Sequence, residues 1–301
     1  ARIKDWPELA TASKGHMTVA TFEDRLYGVP LYADVSALFY NKDLFTKAGL
    51  DPNKPPTSLA EVRTYADKIT ALGGDTKGYY LPGNCAGCNI FTVGPLMWAS
   101  GATVEANKCG DEPLVGDGVK AVDQWARDMV AAKNVPDSAR AETGATFAEQ
   151  FGTGKIGMMG TGNFNIVLAR DQMKDHPFTF GISLLPGMEA GKTASFIGGD
   201  LVVIPKGSKR VDDSLAFMHY LLNDTQQVEL YAKALNLPTR TDPKLTDNQY
   251  YKAEPLMGDV AKALAVGKTP YSLTFFEQIN DPAGPWLQQL QKAYYLSLIH
   301  I

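Results

Sequence analysis

Two aspartates stand among apolar or small neighbours. Asp34 interrupts the apolar stretch Tyr27–Tyr40 where a strand pattern calls for a hydrophobic residue, and Asp200 follows two glycines and precedes the apolar run Leu201–Ile204. Those glycines let another backbone come close. The two carboxylates could act as the acid and the base of glycoside hydrolysis. Alternatively, Asp34 is a polar residue of an edge strand that faces water.

The chain has three cysteines, Cys85, Cys88 and Cys109, and the first two form the motif CAGC. A zinc site needs four ligands, and the four histidines, at positions 16, 176, 219 and 300, show no ligand spacing. A thioredoxin-type motif requires CxxC at the start of a helix that follows a strand. We expect the segment LPGNCAGCNIF to form a loop rich in Gly and Asn instead, so neither metal nor cofactor is predicted.

Two glycine motifs resemble phosphate-binding loops but fail on spacing. Gly160-Thr161-Gly162 follows a predicted strand, yet the third glycine of a dinucleotide fingerprint would fall at Asn165. Gly191-Lys192-Thr193 lacks the glycine that a phosphate loop needs five residues before Gly191, because Pro186 stands there. The sequence therefore predicts no nucleotide site.

Helical and strand patterns alternate along the chain. Ser58 and Glu61 form a capping box before a helix with one apolar face, and Lys155–Met159 and Leu201–Ile204 are almost fully apolar short strands. Such strands are typical of sheets covered by helices, which predicts an α/β fold.

Composition restricts the class of protein further. The 301 residues are 45% hydrophobic, include 28 Gly and 18 Pro, and carry a net charge of −4 without any basic block. This excludes a nucleic-acid surface and favours a globular protein that binds a small ligand or another protein. No run of 18 apolar residues occurs.

Several segments together resemble one family. YGVP, YNKDLF, AGLDP and PPTSLAE are followed by FGTGKIGMMGTGNF, SFIGGDLVVIPKGS and PYSLTFFEQINDPAGPW, from about Phe22 to about Lys292. In this order they resemble the extracellular solute-binding proteins of ABC importers, in particular the sugar-binding branch that includes maltose-binding protein.

The resemblance implies a two-lobe, hinge-closing periplasmic-binding-protein fold of type II. Lobe one would comprise residues 1–33 and 201–250, and lobe two residues 36–198 and 255–295. Lobe one would be incomplete, since the family has an N-terminal segment with a secretion signal and the first strands ahead of this chain. The tail LSLIHI, residues 296–301, breaks the helical pattern before it and is interpreted as non-native.

The resemblance also implies a sugar site in an interlobe cleft, since open α/β sheets bind ligands beyond the carboxyl ends of their strands. Phe164 matches a tryptophan that stacks on sugar, and Asp34 matches a glutamate that accepts hydrogen bonds from sugar hydroxyls. Both differ in residue type from the family. The alternative for Phe164 is plain core packing. The further candidates are Asp200, Asn163, Asn280 and Trp98, although Trp98 could be core and Asn280 could serve only the turn.

The implied function is capture of a mono- to oligosaccharide outside the cytoplasm and its delivery to ABC permease subunits. The protein would act as a monomer, without cofactor or nucleic acid, and would meet the membrane only through an N-terminal lipid anchor. In an exported protein Cys85 and Cys88 would form a local disulfide. The alternatives are a glycoside hydrolase and a sensory module whose ligand-bound form signals to a receptor.

Overall fold

The computed structural model describes residues 2–103, 116–174, 176–270, 272 and 274–295. Its strands are β1 (Thr21–Phe22), β2 (Arg25–Leu26), β3 (Gly28–Asn41), β4 (Lys77–Tyr80), β5 (Ile156–Gly162), β6 (Phe180–Ser183), β7 (Leu185–Pro186), β8 (Thr193–Val203) and β9 (Gly267–Lys268). Its α-helices are α1 (Lys14–Ala20), α2 (Lys42–Lys47), α3 (Leu59–Thr70), α4 (Ala86–Thr92), α5 (Gly94–Ala99), α6 (Asp117–Ala131), α7 (Asn165–Gln172), α8 (Val211–Leu222), α9 (Asp224–Gln226), α10 (Pro243–Thr246), α11 (Gln249–Ala253), α12 (Met257–Ala265) and α13 (Pro285–Tyr295).

The described residues divide into two compact units. The first is formed by the described residues within Ala1–Val35 and Ile197–Gly258, and the second by those within Ser36–Phe196 and Asp259–Ile301. The strands β3 and β8 both contribute to each unit, because the chain passes between the units within them. The lobe boundaries expected from the resemblance stay a prediction.

In the first unit, the N-terminal part of β3 pairs antiparallel with the C-terminal part of β8, from Gly28 opposite Val203 to Val35 opposite Ile197. The register shifts between Pro30 and Tyr32, since proline has no N–H to donate to the ladder. The apolar side chains of this pair pack with α8 into one core, formed by Ile3, Leu9, Val29, Leu31, Met218 and Leu222.

In the second unit, β5 lies parallel to β4 and antiparallel to β3, and β3 pairs on its other side with β6. All seven residues of β5 are buried, as are the β3 residues from Ser36 to Asn41. A strand buried on both faces must be apolar or small throughout, which explains the continuous apolar pattern of IGMMGTG. Aromatic rings of Phe39, Phe151 and Phe180 pack against one another in this core.

The helix start predicted at Ser58 is confirmed, with one difference. Ser58 is the N-cap of α3 and its Oγ accepts from the Glu61 N–H at 3.3 Å. The Glu61 carboxylate, however, accepts from the backbone N–H of Thr57 at 2.7 Å, one residue before the cap. The reciprocal hydrogen bond of a capping box is therefore shifted by one residue. The Glu61 carboxylate also accepts from the Thr57 hydroxyl at 2.8 Å.

Candidate functional site

The two aspartates singled out by the sequence lie together in the first unit. In the β3–β8 ladder Tyr32 stands opposite Asp200 and Asp34 stands opposite Gly198. Residues two apart in a strand point to the same face, so Tyr32, Asp34 and Asp200 share one face of this strand pair. The Tyr32 hydroxyl donates a hydrogen bond to Asp200. We call Asp34 and Asp200 the carboxylate pair.

Asp34 is a carboxylate with an unusual environment. Gly198 stands opposite it in the ladder, and the Asp34 Oδ1 is buried and has no hydrogen-bond partner among the described residues. Burial, together with the negative charge of Asp200, raises the pKa of Asp34 to about 6. A buried carboxylate oxygen without a donor is costly, and it is an acceptor available for a ligand hydroxyl.

Gly199 fixes the backbone beside the carboxylate pair. Its φ is +132°, and a Cβ at this position would lie 2.1 Å from the carbonyl oxygen of Tyr32. Only glycine fits such a close approach of two strands. On the same face, the Tyr32 ring stacks on Tyr231 with centroids 5.5 Å apart. The resulting surface combines two aromatic rings with two carboxylates.

In the second unit, four aromatic side chains form a chain in which each ring contacts the next. We call these four residues the aromatic row. Phe164 contacts Phe91 at a centroid distance of 6.0 Å, Phe91 contacts Phe196 at 5.3 Å, and Phe196 stacks on Trp98 at 5.9 Å and 20°. Phe164, Phe91 and Phe196 are partly exposed, whereas Trp98 is 7% exposed. Partly exposed rings in a row present a continuous apolar surface to a ligand.

The motif GTGNF positions the first ring of this row. A Cβ on Gly162 would lie 2.1 Å from Cε1 of Phe164, so the phenyl ring lies directly against the Gly162 backbone. Phe164 is partly exposed, which favours ligand contact over plain core packing, the alternative for this residue. Trp98, in contrast, is buried, and its Nε1–H has no partner among the described residues.

The two candidate asparagines have different surroundings. Asn163 is fully buried beneath the start of α7, where its carbonyl accepts from the Ile166 N–H at 3.0 Å. Asn280 is exposed at the end of a π-helical turn, Phe276–Asn280, and its Oδ1 lies 3.6 Å from the position that a Cβ on Gly87 would take. Asn280 is therefore accessible at the start of α4, whereas Asn163 is not.

Cys85 and Cys88 form a disulfide, with their Cα atoms 5.3 Å apart. The expectation that CAGC lies in a loop is wrong in one respect: Cys85 is the N-cap of α4, and its Sγ accepts from the Cys88 N–H at 3.1 Å. A cysteine thus takes the capping role that Ser or Asp usually takes. Phe91 of the aromatic row lies one turn further along α4. Cys109 lies outside the described residues.

We predict that peptide mass spectrometry of the native, alkylated protein will find the peptide with Cys85 and Cys88 two hydrogen atoms lighter than its reduced form. Both thiols will react with the alkylating agent only after reduction, because the bridge closes within one helical turn. A linkage of either cysteine to Cys109 would contradict this pairing.

The sequence did not identify five side chains that the structure adds to these surfaces. Phe91 and Phe196 join the aromatic row, Tyr32 and Tyr231 join the carboxylate pair, and His16 reaches Gly198 from α1. The position of Tyr32, two residues before Asp34 in one strand, was a usable signal. No sequence pattern indicated Tyr231 or His16, because their contacts with Tyr32 and Gly198 join residues far apart in the chain.

The family model described as "Bacterial extracellular solute-binding protein" matches residues 1–259. The chain belongs to this family. Its members are substrate-binding proteins of transporters rather than enzymes. The family's extracellular placement confirms the predicted localisation, and the protein is extracytoplasmic. Among the described residues, no helix is both long and apolar enough to cross a membrane.

Three relatives illustrate the likeness. A binding protein of Brucella abortus is 26% identical over 242 residues, or 78% of this chain and 55% of the relative. The maltooligosaccharide ABC transporter solute-binding lipoprotein of Streptococcus pneumoniae R6 is 27% identical over 257 residues, or 81% of this chain and 55% of the relative. This solute-binding chain therefore spans about half the length of the curated relatives that it matches.

The third relative is a solved structure, the GacH receptor of Streptomyces glaucescens, which was determined unliganded and with acarbose. It superposes with a TM-score of 0.75 at 26% identity, over 97% of this chain and 72% of that one. This likeness confirms the predicted fold class, the type II α/β fold of two-lobed periplasmic binding proteins.

Proposed function

We propose that this solute-binding chain captures a small carbohydrate, from mono- to oligosaccharide, and delivers it to the permease of an ABC transporter. The aromatic row carries the proposal, since partly exposed rings cover the apolar C–H face of a pyranose. Two relatives support it: one is a maltooligosaccharide ABC transporter solute-binding lipoprotein, and another was solved with acarbose.

The carboxylate pair supplies the second kind of group that sugar recognition needs. Carboxylate oxygens accept hydrogen bonds from hydroxyls, and Asp34 offers a buried oxygen that no described residue occupies. Asp200 of this pair and Asn280 are exposed and are proposed to contact the ligand, whereas the buried Asn163 and Trp98 are proposed to support the residues that do. The interlobe cleft and the monomeric state remain proposals that come from the resemblance.

One observation favours a second candidate, glycoside hydrolysis. A carboxyl group with a pKa of about 6 beside a second carboxylate is the arrangement that glycosidases use for general acid catalysis. Family membership argues for binding without turnover. Incubating the protein with a glycan panel and analysing the products separates the two: we expect every glycan to be recovered intact.

The test of the binding proposal is a thermal-shift screen over mono-, di- and oligosaccharides, followed by titration calorimetry. A ligand at about 100 times its Kd stabilises the native state by about 2.7 kcal/mol, which is a readily measured rise in melting temperature. Polyols without a ring serve as the control. If no carbohydrate raises the melting temperature while another class of solute does, the proposed ligand class is wrong.

A further inference from the structure

His16 is a buried histidine that the binding proposal does not use. It lies in α1 and is 6% exposed. Its Nδ1 is 2.6 Å from the Ser13 hydroxyl, and its Nε2 is 2.9 Å from the carbonyl oxygen of Gly198. Both ring nitrogens are therefore engaged, one within the helix start and one on β8, 182 residues away.

These partners fix the tautomer of the ring. Burial lowers the pKa of His16 below the usual value of 6.5, so the imidazole is neutral at neutral pH. A neutral imidazole has one donor and one acceptor, and a carbonyl oxygen can only accept. The proton must then be on Nε2, which donates to Gly198, while Nδ1 accepts from the Ser13 hydroxyl.

Gly198 connects His16 to the carboxylate pair. Its carbonyl accepts from His16, and it stands opposite Asp34 in the β3–β8 ladder. Gly198 and Gly199 have no side chains to hold this segment of β8, and Asp200 follows directly. The ladder with β3 holds this glycine segment on one side, and the hydrogen bond from His16 to the Gly198 carbonyl holds it from α1.

We propose that His16 is a positioning residue of the ligand site, which through Gly198 holds the β8 backbone opposite Asp34 and so orients the carboxylate pair for the ligand. This inference rests on the proposed function. His16 touches the Gly198 backbone and Ser13, not the carboxylates themselves. The ionisable groups around the carboxylate pair are Asp34 and Tyr32 of β3, Asp200 of β8, and Tyr231 after α9.

Three variants test the proposal. His16→Ala removes the donor to Gly198, His16→Gln keeps an N–H at about the position of Nε2, and Ser13→Ala removes only the partner of Nδ1. With maltotriose as the probe, we expect His16→Ala to weaken binding about fivefold or more, the effect of losing one hydrogen bond that orders a site. His16→Gln should restore most of the affinity, and Ser13→Ala should lose about twofold at most.

Two measurements on the ligand-free protein test the role of His16 independently of whether the protein binds a carbohydrate. Long-range proton–nitrogen NMR of the wild type should show His16 as the Nε2–H tautomer. The carboxyl carbon of Asp34, titrated by NMR, should give a higher pKa in His16→Ala than in the wild type, because the Gly198 backbone opposite Asp34 lowers this pKa and would lower it less once its anchor is lost. A merely structural histidine would change the melting temperature but not the pKa of Asp34.

An Nδ1–H tautomer, an unchanged pKa of Asp34 in His16→Ala, or a His16→Gln variant as weak as His16→Ala would each overturn the proposal. If His16→Ala does not fold, the tautomer in the wild type and the pKa of Asp34 in His16→Gln decide. If the wild type binds neither maltotriose nor another carbohydrate, the proposed function fails, while the two ligand-free measurements still decide on His16.

Discussion

Replacing Phe164 by alanine should weaken carbohydrate binding by about 1–3 kcal/mol, roughly ten- to a hundredfold, while the protein stays folded. The ring is partly exposed at one end of the aromatic row and contacts Phe91. Its removal takes away the surface on which a sugar face would lie, yet removes little of the core. Phe164→Trp should keep or improve the affinity, whereas a core position would be destabilised by the larger ring.

Gly162 provides a subtler variant of the same test. A Cβ at Gly162 would stand 2.1 Å from Cε1 of Phe164, so Gly162→Ala must push the ring from its place without removing it. Cδ1 and Cζ of the same ring would also be close, at 2.6 and 2.8 Å, and Gly162 is buried in β5, so the variant should also melt at a somewhat lower temperature. We expect an affinity loss in the same direction as that of Phe164→Ala.

The matched control is Phe276→Ala, since Phe276 is 64% exposed in the second unit and makes no ring contact with the row. Its affinity should equal that of the wild type. Titration calorimetry with the best ligand from the screen measures all four variants. Wild-type affinity in Phe164→Ala, at an unchanged melting temperature, would show that the row does not bind the ligand.

Sequence patterns correctly predicted those helices and strands that depend on residues close together in the chain. The start of α3 at Ser58 and the fully buried strand β5 depend on residues close together in the chain, and both are found. The expected loop at CAGC failed because a cysteine can cap a helix through its sulfur, which residue preferences for caps do not anticipate.

The arrangement of the candidate site depends on contacts across the chain. Tyr32 and Asp200 are 168 residues apart and meet through the register of β3 and β8, which no single-sequence pattern encodes. Phe91 and Phe196 meet across 105 positions of the chain, and no sequence pattern singled out either of them. Residue type identified Asp34, Asp200 and Phe164, but only the fold shows what surrounds them.

The carboxylate pair should make the native state less stable than it would be without it. In the folded protein the Asp34 carboxyl keeps its proton up to about pH 6, whereas in the unfolded chain it ionises near its ordinary value of 3.8. Between these values the folded state binds more protons, so the free energy of unfolding falls as the pH rises through this window and stays reduced above it. Asp34→Asn cannot ionise at this position, so above pH 6 it should be about 1–2 kcal/mol more stable than the wild type. This figure is smaller than the pKa difference alone would give, because the side chain is partly exposed and solvent screens its charge.

The same substitution should weaken carbohydrate binding by about 1–2 kcal/mol, because an amide oxygen accepts a hydroxyl hydrogen bond less strongly than a carboxylate does. Asp34→Ala, which removes the acceptor, should lose as much or more. Thermal melts from pH 4 to pH 8 with parallel calorimetry measure both effects, and Asp5→Asn, an exposed aspartate of the same unit, is the control. In Asp34→Asn the gain in stability should vanish toward pH 4, where the wild-type carboxyl is itself protonated. Unchanged affinity in both Asp34 variants would mean that Asp34 does not bind the ligand, and a stability difference that persists at pH 4 would mean that its origin is not the ionisation of this carboxyl group.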